Sequence, residues 1–84
     1  MNAKHRKTLA ALFASPIPRS ITCRDVESLL RALDYQKTEG EGSGVAYGRN
    51  NKSVAFHRPH PGKELKRYQI KEVRGFLEDI GVLP

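Results

Sequence analysis

A β-hairpin pattern in residues 45–57 limits the possible folds of this chain more strongly than any other part of the sequence. Two short runs of strand-forming residues flank Asn50 and Asn51, and asparagine tolerates the positive φ angles of a two-residue hairpin turn. With these asparagines as the loop, the register pairs Arg49 with Lys52, Tyr47 with Val54, Val45 with Phe56, and Gly44 with His57. One face is then apolar. The other carries small residues and His57, and it is open to a partner or to another part of the chain.

Three helices and one further strand surround this hairpin. Thr22 is a suitable N-cap and Asp25 suits the positive end of the helix that follows. Glu27 and Arg31 are expected to pair on its outer surface. The apolar stripe of this helix consists of Val26, Leu29, Leu30 and Leu33.

The other elements have weaker or more local signals. Residues 35–39 favour a first strand, and the glycine-rich residues 40–44 favour a turn after it. A last helix carries Ile70, Val73, Leu77 and Ile80, with Phe76 beside them, and Gly81 suits its C-terminal end. A short N-terminal helix carries Leu9, Leu12 and Phe13 and stops before Pro16 and Pro18.

Length, charge and cysteine content limit the kind of protein this can be and the kind of partner it can bind. The chain has 84 residues, so we expect one small domain with a modest core. Its formal net charge of +6 favours a polyanionic partner. The lone Cys23 excludes an internal disulfide, and we find neither a secretory signal nor an apolar run of membrane-spanning length. We therefore expect a cytoplasmic protein that does not bind a membrane.

The stretch from Phe56 to Arg67 concentrates the candidate chemistry. His57 and His60 have the side chain that most readily exchanges protons near neutral pH, so they are the candidate catalytic acid and base. The candidate phosphate-binding residues are Arg58, Lys63, Lys66 and Arg67, the last two at the start of a helix. The alternatives stay open: a histidine at a strand end often bonds a neighbouring carbonyl, and clustered cations are often only solvated.

Two other types of site are weaker. His57, His60, Cys23 and His5 fit no common zinc motif, so we expect no metal, no other cofactor and no small-molecule ligand. Tyr35 and Tyr47 are candidates for stacking on bases, although the hairpin pattern favours Tyr47 as a core residue.

The element order, with Gly42-Ser43 before the second strand and residues 60–66 (His-Pro-Gly-Lys-Glu-Leu-Lys) before the last helix, resembles the HicA family of bacterial toxins. The resemblance covers about residues 22–82. It implies an α+β fold like a double-stranded-RNA-binding domain: a three-stranded antiparallel sheet with helices on one face, in the order α-β-β-β-α. It places residues 1–20 in an N-terminal helical extension and residues 21–84 in the toxin domain.

The resemblance also implies ribonuclease activity against mRNA and inhibition by a HicB antitoxin. The family pattern has its catalytic histidine just after Gly-Ser, whereas Gly44 and Val45 follow Ser43 here. Two hypotheses follow. Either the catalytic base has moved and the chain is a metal-independent ribonuclease toxin, or it is a non-catalytic module that binds RNA or the antitoxin.

Overall fold

The computed structural model describes residues 1–39, 42, 44–59 and 62–84. Its elements are α1 (Ala3–Leu12), α2 (Cys23–Ala32), β1 (Gln36–Glu39), β2 (Gly44–Arg49), β3 (Lys52–His57) and α3 (Arg67–Asp79). The predicted α+β class and the order α-β-β-β-α after an N-terminal helix are confirmed. Within the described ranges, none of the helices has the length and apolar character needed to cross a bilayer.

The three strands form one antiparallel sheet in the order β1, β2, β3. Asn50 and Asn51 have φ angles of +52° and +64°, so the two-residue turn is confirmed. The predicted register is confirmed as well, including the pairing of Gly44 with His57. Of the predicted glycine turn, Gly42 has a φ of +60°, while Gly40, Glu41 and Ser43 lie outside the described residues.

Helix α2 begins and packs as its sequence predicts, with one correction. The Thr22 hydroxyl accepts a hydrogen bond of 3.1 Å from the Asp25 backbone N–H. Val26, Leu29 and Leu30 are fully buried. The prediction that Glu27 lies on the outer surface is wrong: it is only 6% exposed. Glu27 follows Val26 directly on the buried side of the helix, where the hydroxyl of Tyr47 from β2 meets it.

The N-terminal segment shares the core of the rest of the chain. Leu9 and Leu12 of α1 belong to the same buried cluster as the residues of α2, α3 and the sheet. The guanidinium of Arg74 in α3 donates to the carbonyl oxygens of Leu12 and Ala14, at 2.7 and 3.1 Å. It also lies 5.7 Å from the centroid of the Phe13 ring. This one arginine therefore fastens the end of α1 to α3.

Helix α3 covers the core with its predicted stripe. Ile70, Val73 and Leu77 are buried, and Gly81 has a φ of +77° just beyond the end of the helix. That left-handed conformation suits glycine because it has no Cβ. The predicted glycine end is confirmed.

Candidate nucleic-acid interface

Backbone pairing holds the segment after Gly62 against the start of α2. The Cys23 N–H donates to the Lys63 carbonyl at 3.1 Å, and the Leu65 N–H donates to the Ile21 carbonyl at 2.8 Å. These bonds flank an antiparallel bridge between Thr22 and Glu64. Lys63 is thereby brought to the N-terminal end of α2, although 40 residues separate it from Cys23 in the sequence.

A cavity of about 580 Å³ opens between these two segments. It is lined by Thr22, Cys23, Arg24, Glu27, Arg31, Arg58, Pro59, Gly62 and Lys63. Four of these side chains are cations and only Glu27 is an acid. We call the set Arg24, Arg31, Arg58 and Lys63 the α2 cation cluster. It is a concave surface with an excess of positive charge, which favours an anionic ligand.

The buried Glu27 binds one member of this cluster, Arg58. Arg58 donates from Nε to Oε2 at 3.0 Å and from a terminal nitrogen to Oε1 at 3.1 Å, which is a bidentate ion pair. The Tyr47 hydroxyl donates to Oε1 at 2.7 Å, and the Cys23 thiol donates to Oε2 at 3.1 Å. The Lys37 ammonium lies 3.8 Å from Oε1. The orientation of the Arg58 guanidinium is therefore set by a buried carboxylate.

A second arginine is oriented through Tyr47. Arg31 donates to the Tyr47 hydroxyl at 3.1 Å, and this hydroxyl in turn donates to Glu27. Because the hydroxyl uses its proton on the carboxylate and its oxygen on the guanidinium, both of its roles are filled.

The protonation states in this network follow from burial and hydrogen bonding. Burial alone would raise the pKa of Glu27, but hydrogen bonds from Arg58, Cys23 and Tyr47 outweigh it and lower the pKa to about 2. Burial, reinforced by the negative charge of Glu27, raises the pKa of Cys23 to about 12 and that of Tyr47 to about 12. At neutral pH, Glu27 is therefore ionised while the thiol and the phenol keep their protons. Such a thiol is a poor nucleophile.

Of the two candidate catalytic histidines, the structure describes His57. His57 is exposed at the end of β3, directly across from Gly44. Its carbonyl accepts a hydrogen bond of 2.7 Å from the side chain of the buried Gln69, whose amide oxygen accepts from the Lys66 N–H at 2.9 Å. This bridge fixes the end of β3 to the start of α3. His60 lies outside the described residues.

The four predicted phosphate-binding residues lie in two groups. Arg58 and Lys63 line the cavity beside α2. Lys66 and Arg67 line a different cavity, of about 620 Å³, at the start of α3. Sequence reasoning missed Arg24 and Arg31, which lie seven residues apart on α2. Their spacing of two helical turns was a usable signal, but no local pattern showed that Arg58 and Lys63 would meet that side of α2.

The aromatic candidates need correction. Tyr47 is fully buried, and Tyr35 is 9% exposed with its ring edge-on to Phe76, so neither offers a face for a base to stack on. The prediction of base stacking by these two tyrosines is wrong. Tyr68, which the sequence reasoning passed over, is 60% exposed in the first turn of α3.

Two candidate metal ligands have other partners. The Cys23 thiol is bonded to Glu27, and the His5 ring nitrogen Nε2 lies 2.8 Å from the Ser28 hydroxyl. Among the residues that the structure describes, no three His, Cys, Asp or Glu side chains come together as a group of metal ligands.

The element order and the three-stranded antiparallel sheet define an α+β protein with a fold like a double-stranded-RNA-binding domain. The family model described as "HicA toxin of bacterial toxin-antitoxin" matches residues 23–82, more than two thirds of the chain. The chain therefore belongs to the HicA toxin family of bacterial toxin-antitoxin systems, and this membership implies an antitoxin partner. No curated protein and no solved structure matches it.

Proposed function

We propose that this toxin binds mRNA in the cytoplasm, cleaves it without a metal, and is inhibited by a HicB-like antitoxin. The observation that carries the proposal is the α2 cation cluster, which includes Arg58, the residue that directly follows His57 at the end of β3. A polyanion is attracted to such a concave group of cations, and the resemblance to HicA toxins favours RNA as that polyanion.

The phosphate-binding part of the proposal rests on how firmly two cations are held. Arg58 is oriented by two hydrogen bonds to Glu27. The backbone of Lys63 is held by the hydrogen bond from the Cys23 N–H to its carbonyl, so its side chain starts from a fixed place beside the cavity. Because the Arg58 guanidinium is oriented before the ligand arrives, it loses less side-chain freedom on binding and favours a phosphate at a defined place. Lys66 and Arg67 extend the cationic surface toward α3.

The cleavage part assigns a proton transfer to each histidine. His57 takes the proton from the 2′-hydroxyl, His60 protonates the leaving 5′-oxygen, and the cations stabilise the charge that builds on the phosphate. Gly44 supports the role of His57. Directly opposed residues have Cβ positions roughly 5 Å apart, so the imidazole can extend over a glycine into the space that a histidine after Gly-Ser would occupy.

The second candidate function is a module that binds RNA or the antitoxin without cutting. The observation in its favour is that Gly44 and Val45 follow Ser43, so no histidine stands at that place in the chain.

The test is single-turnover cleavage of RNA in EDTA at several pH values. We expect wild type to cut RNA, His57→Ala to abolish cutting with RNA binding retained, and Gly44→Leu to reduce cutting nearly as much because it fills the space beside the imidazole. His60→Ala should be equally severe if His60 is the acid, and milder if it only orients the phosphate.

His5→Ala, which removes a histidine from α1, is the matched control, and circular dichroism checks folding. Wild-type rates in His57→Ala would refute the relocated base. A wild type that binds RNA but never cuts it would support the second function.

The antitoxin part has its own test. The +6 charge favours a partner with an acidic surface that covers the α2 cation cluster. Co-expression with a HicB-like protein encoded by a neighbouring gene should restore growth and give a complex that purifies intact. Failure to obtain either result with any neighbouring-gene product would count against this partner.

A further inference from the structure

The cavity at the start of α3 has two walls from distant parts of the chain. One wall is the segment Pro16, Ile17, Pro18 and Arg19, and the other is Leu65, Lys66, Arg67 and Ile70. The first wall lies outside residues 23–82, the part that matches the family. We call this cavity the α1–α3 cleft. It exists in this chain because of the segment that precedes the family match.

The cleft combines an apolar interior with a cationic rim. Ile17 and Pro18 are half-buried, and Leu65 and Ile70 are nearly inaccessible beneath them. Arg19, Lys66 and Arg67 are exposed at the rim. Among the described residues that line the cleft, none is acidic. A nucleotide has the same two parts. Its planar base packs on apolar surfaces, and its phosphate binds cations.

Both ends of the N-terminal wall are fastened. Before the wall, Arg74 donates to the Ala14 carbonyl at 3.1 Å. After it, the Leu65 N–H donates to the Ile21 carbonyl at 2.8 Å. The wall is therefore held at a fixed position relative to α3. The volume, about 620 Å³, lies inside the range of roughly 300–1,000 Å³ that small-ligand sites occupy.

We propose that the α1–α3 cleft binds one nucleotide of single-stranded RNA, with the base against Ile17 and Pro18 and a phosphate on Arg19, Lys66 and Arg67. This inference rests on the proposed function and specifies its substrate as an unpaired strand. A base within a duplex enters a cleft only after it loses its pairing and stacking, whereas an unpaired base turns out of its strand at lower cost.

The first experiment measures binding of single-stranded RNA and of a duplex of the same sequence by fluorescence anisotropy over a range of salt concentrations. A non-cleaving His57→Ala background keeps the RNA intact. Arg19→Gln and Arg67→Gln should each weaken single-strand binding by roughly three- to tenfold and lower the salt slope by about one. The matched control is Arg6→Gln, which removes the same charge from an exposed position in α1. It should change the affinity less than twofold.

The second experiment places the base. RNA carrying 4-thiouridine should crosslink on irradiation, and mass spectrometry should find the link in the peptide that contains residues 16–19. Pro18→Ser should reduce this crosslink, with circular dichroism as the control for folding.

The outcomes separate the two proposals. If wild type binds and cuts RNA but Arg19→Gln behaves like Arg6→Gln, only the cleft inference is overturned. Duplex RNA bound as tightly as single strands would also overturn it. If Arg19→Gln leaves RNA binding intact but weakens the antitoxin complex, the cleft belongs to the protein partner and the inference fails. A wild type with no affinity for RNA overturns both proposals.

Discussion

Replacement of Glu27 by glutamine tests whether the buried carboxylate stabilises this fold through its charge. The change keeps the size of the side chain but removes the negative charge that faces Arg58, Tyr47 and Cys23. It also puts an amide NH2 where one carboxylate oxygen accepted hydrogen bonds. Because the partners stay buried or partly buried, they lose an acceptor that water replaces only in part.

The magnitude follows from the pKa of Glu27. A decrease from 4.5 to about 2 corresponds to about 3 kcal/mol of stability at neutral pH. The Arg58 side chain is 36% exposed, so solvent screens part of this interaction, and we expect about 2 kcal/mol. For a domain of this size, that loss lowers Tm by roughly 8–16 °C.

The pH dependence of the stability loss shows whether the loss comes from the charge of Glu27 or from its packing. A carboxyl group whose pKa is lower in the folded state stabilises the protein fully above its unfolded pKa of 4.5, and the contribution is lost as the pH falls toward 2. The difference in the free energy of unfolding between wild type and Glu27→Gln should therefore shrink by more than half between pH 7 and pH 3. Urea denaturation followed by circular dichroism measures it.

The control is Glu72→Gln, which makes the same chemical change at an exposed position of α3. It should change the free energy of unfolding by less than about 0.5 kcal/mol. A difference for Glu27→Gln that is as large at pH 3 as at pH 7 would refute the reasoning, because the loss would then come from packing and not from charge.

Three further substitutions test the fold. Leu12→Ala should cost about 2–5 kcal/mol in urea denaturation because Leu12 is fully buried, and a loss below about 1 kcal/mol would show that α1 adds little to the core. Gly75→Ala and Gly81→Ala form a matched pair, since an added Cβ meets no atom within 4 Å at either position. Gly75→Ala should raise stability by roughly 0.5–1 kcal/mol because it lies inside α3. Gly81→Ala should lower stability by about 1 kcal/mol because its φ is +77°, and equal effects of the two changes would contradict the conformational argument.

Much of the fold could be read from local patterns. The register of the hairpin follows from Asn50 and Asn51, because a two-residue turn leaves one pairing for the strands that it joins. The start of α2 follows from Thr22 and the end of α3 from Gly81, because both depend on the conformation of a few neighbouring residues. The pairing of Gly44 with His57 was available on the same ground. So was the concentration of cations after β3, which identified Arg58 and Lys63 as candidates.

Local patterns are enough to specify the elements, their order and the hairpin register, whereas the set of charged side chains that share a surface depends on how the helices pack on the sheet. The spacing of Glu27 and Arg31 is that of an exposed helical pair, yet Glu27 is buried because Tyr47 and Arg58 approach from other elements. The division of the cations between two cavities, and the entry of Arg19 into one of them, depend on contacts between residues more than 30 positions apart. Periodicity and turn chemistry act over a few residues, whereas these neighbours meet only when the helices pack on the sheet.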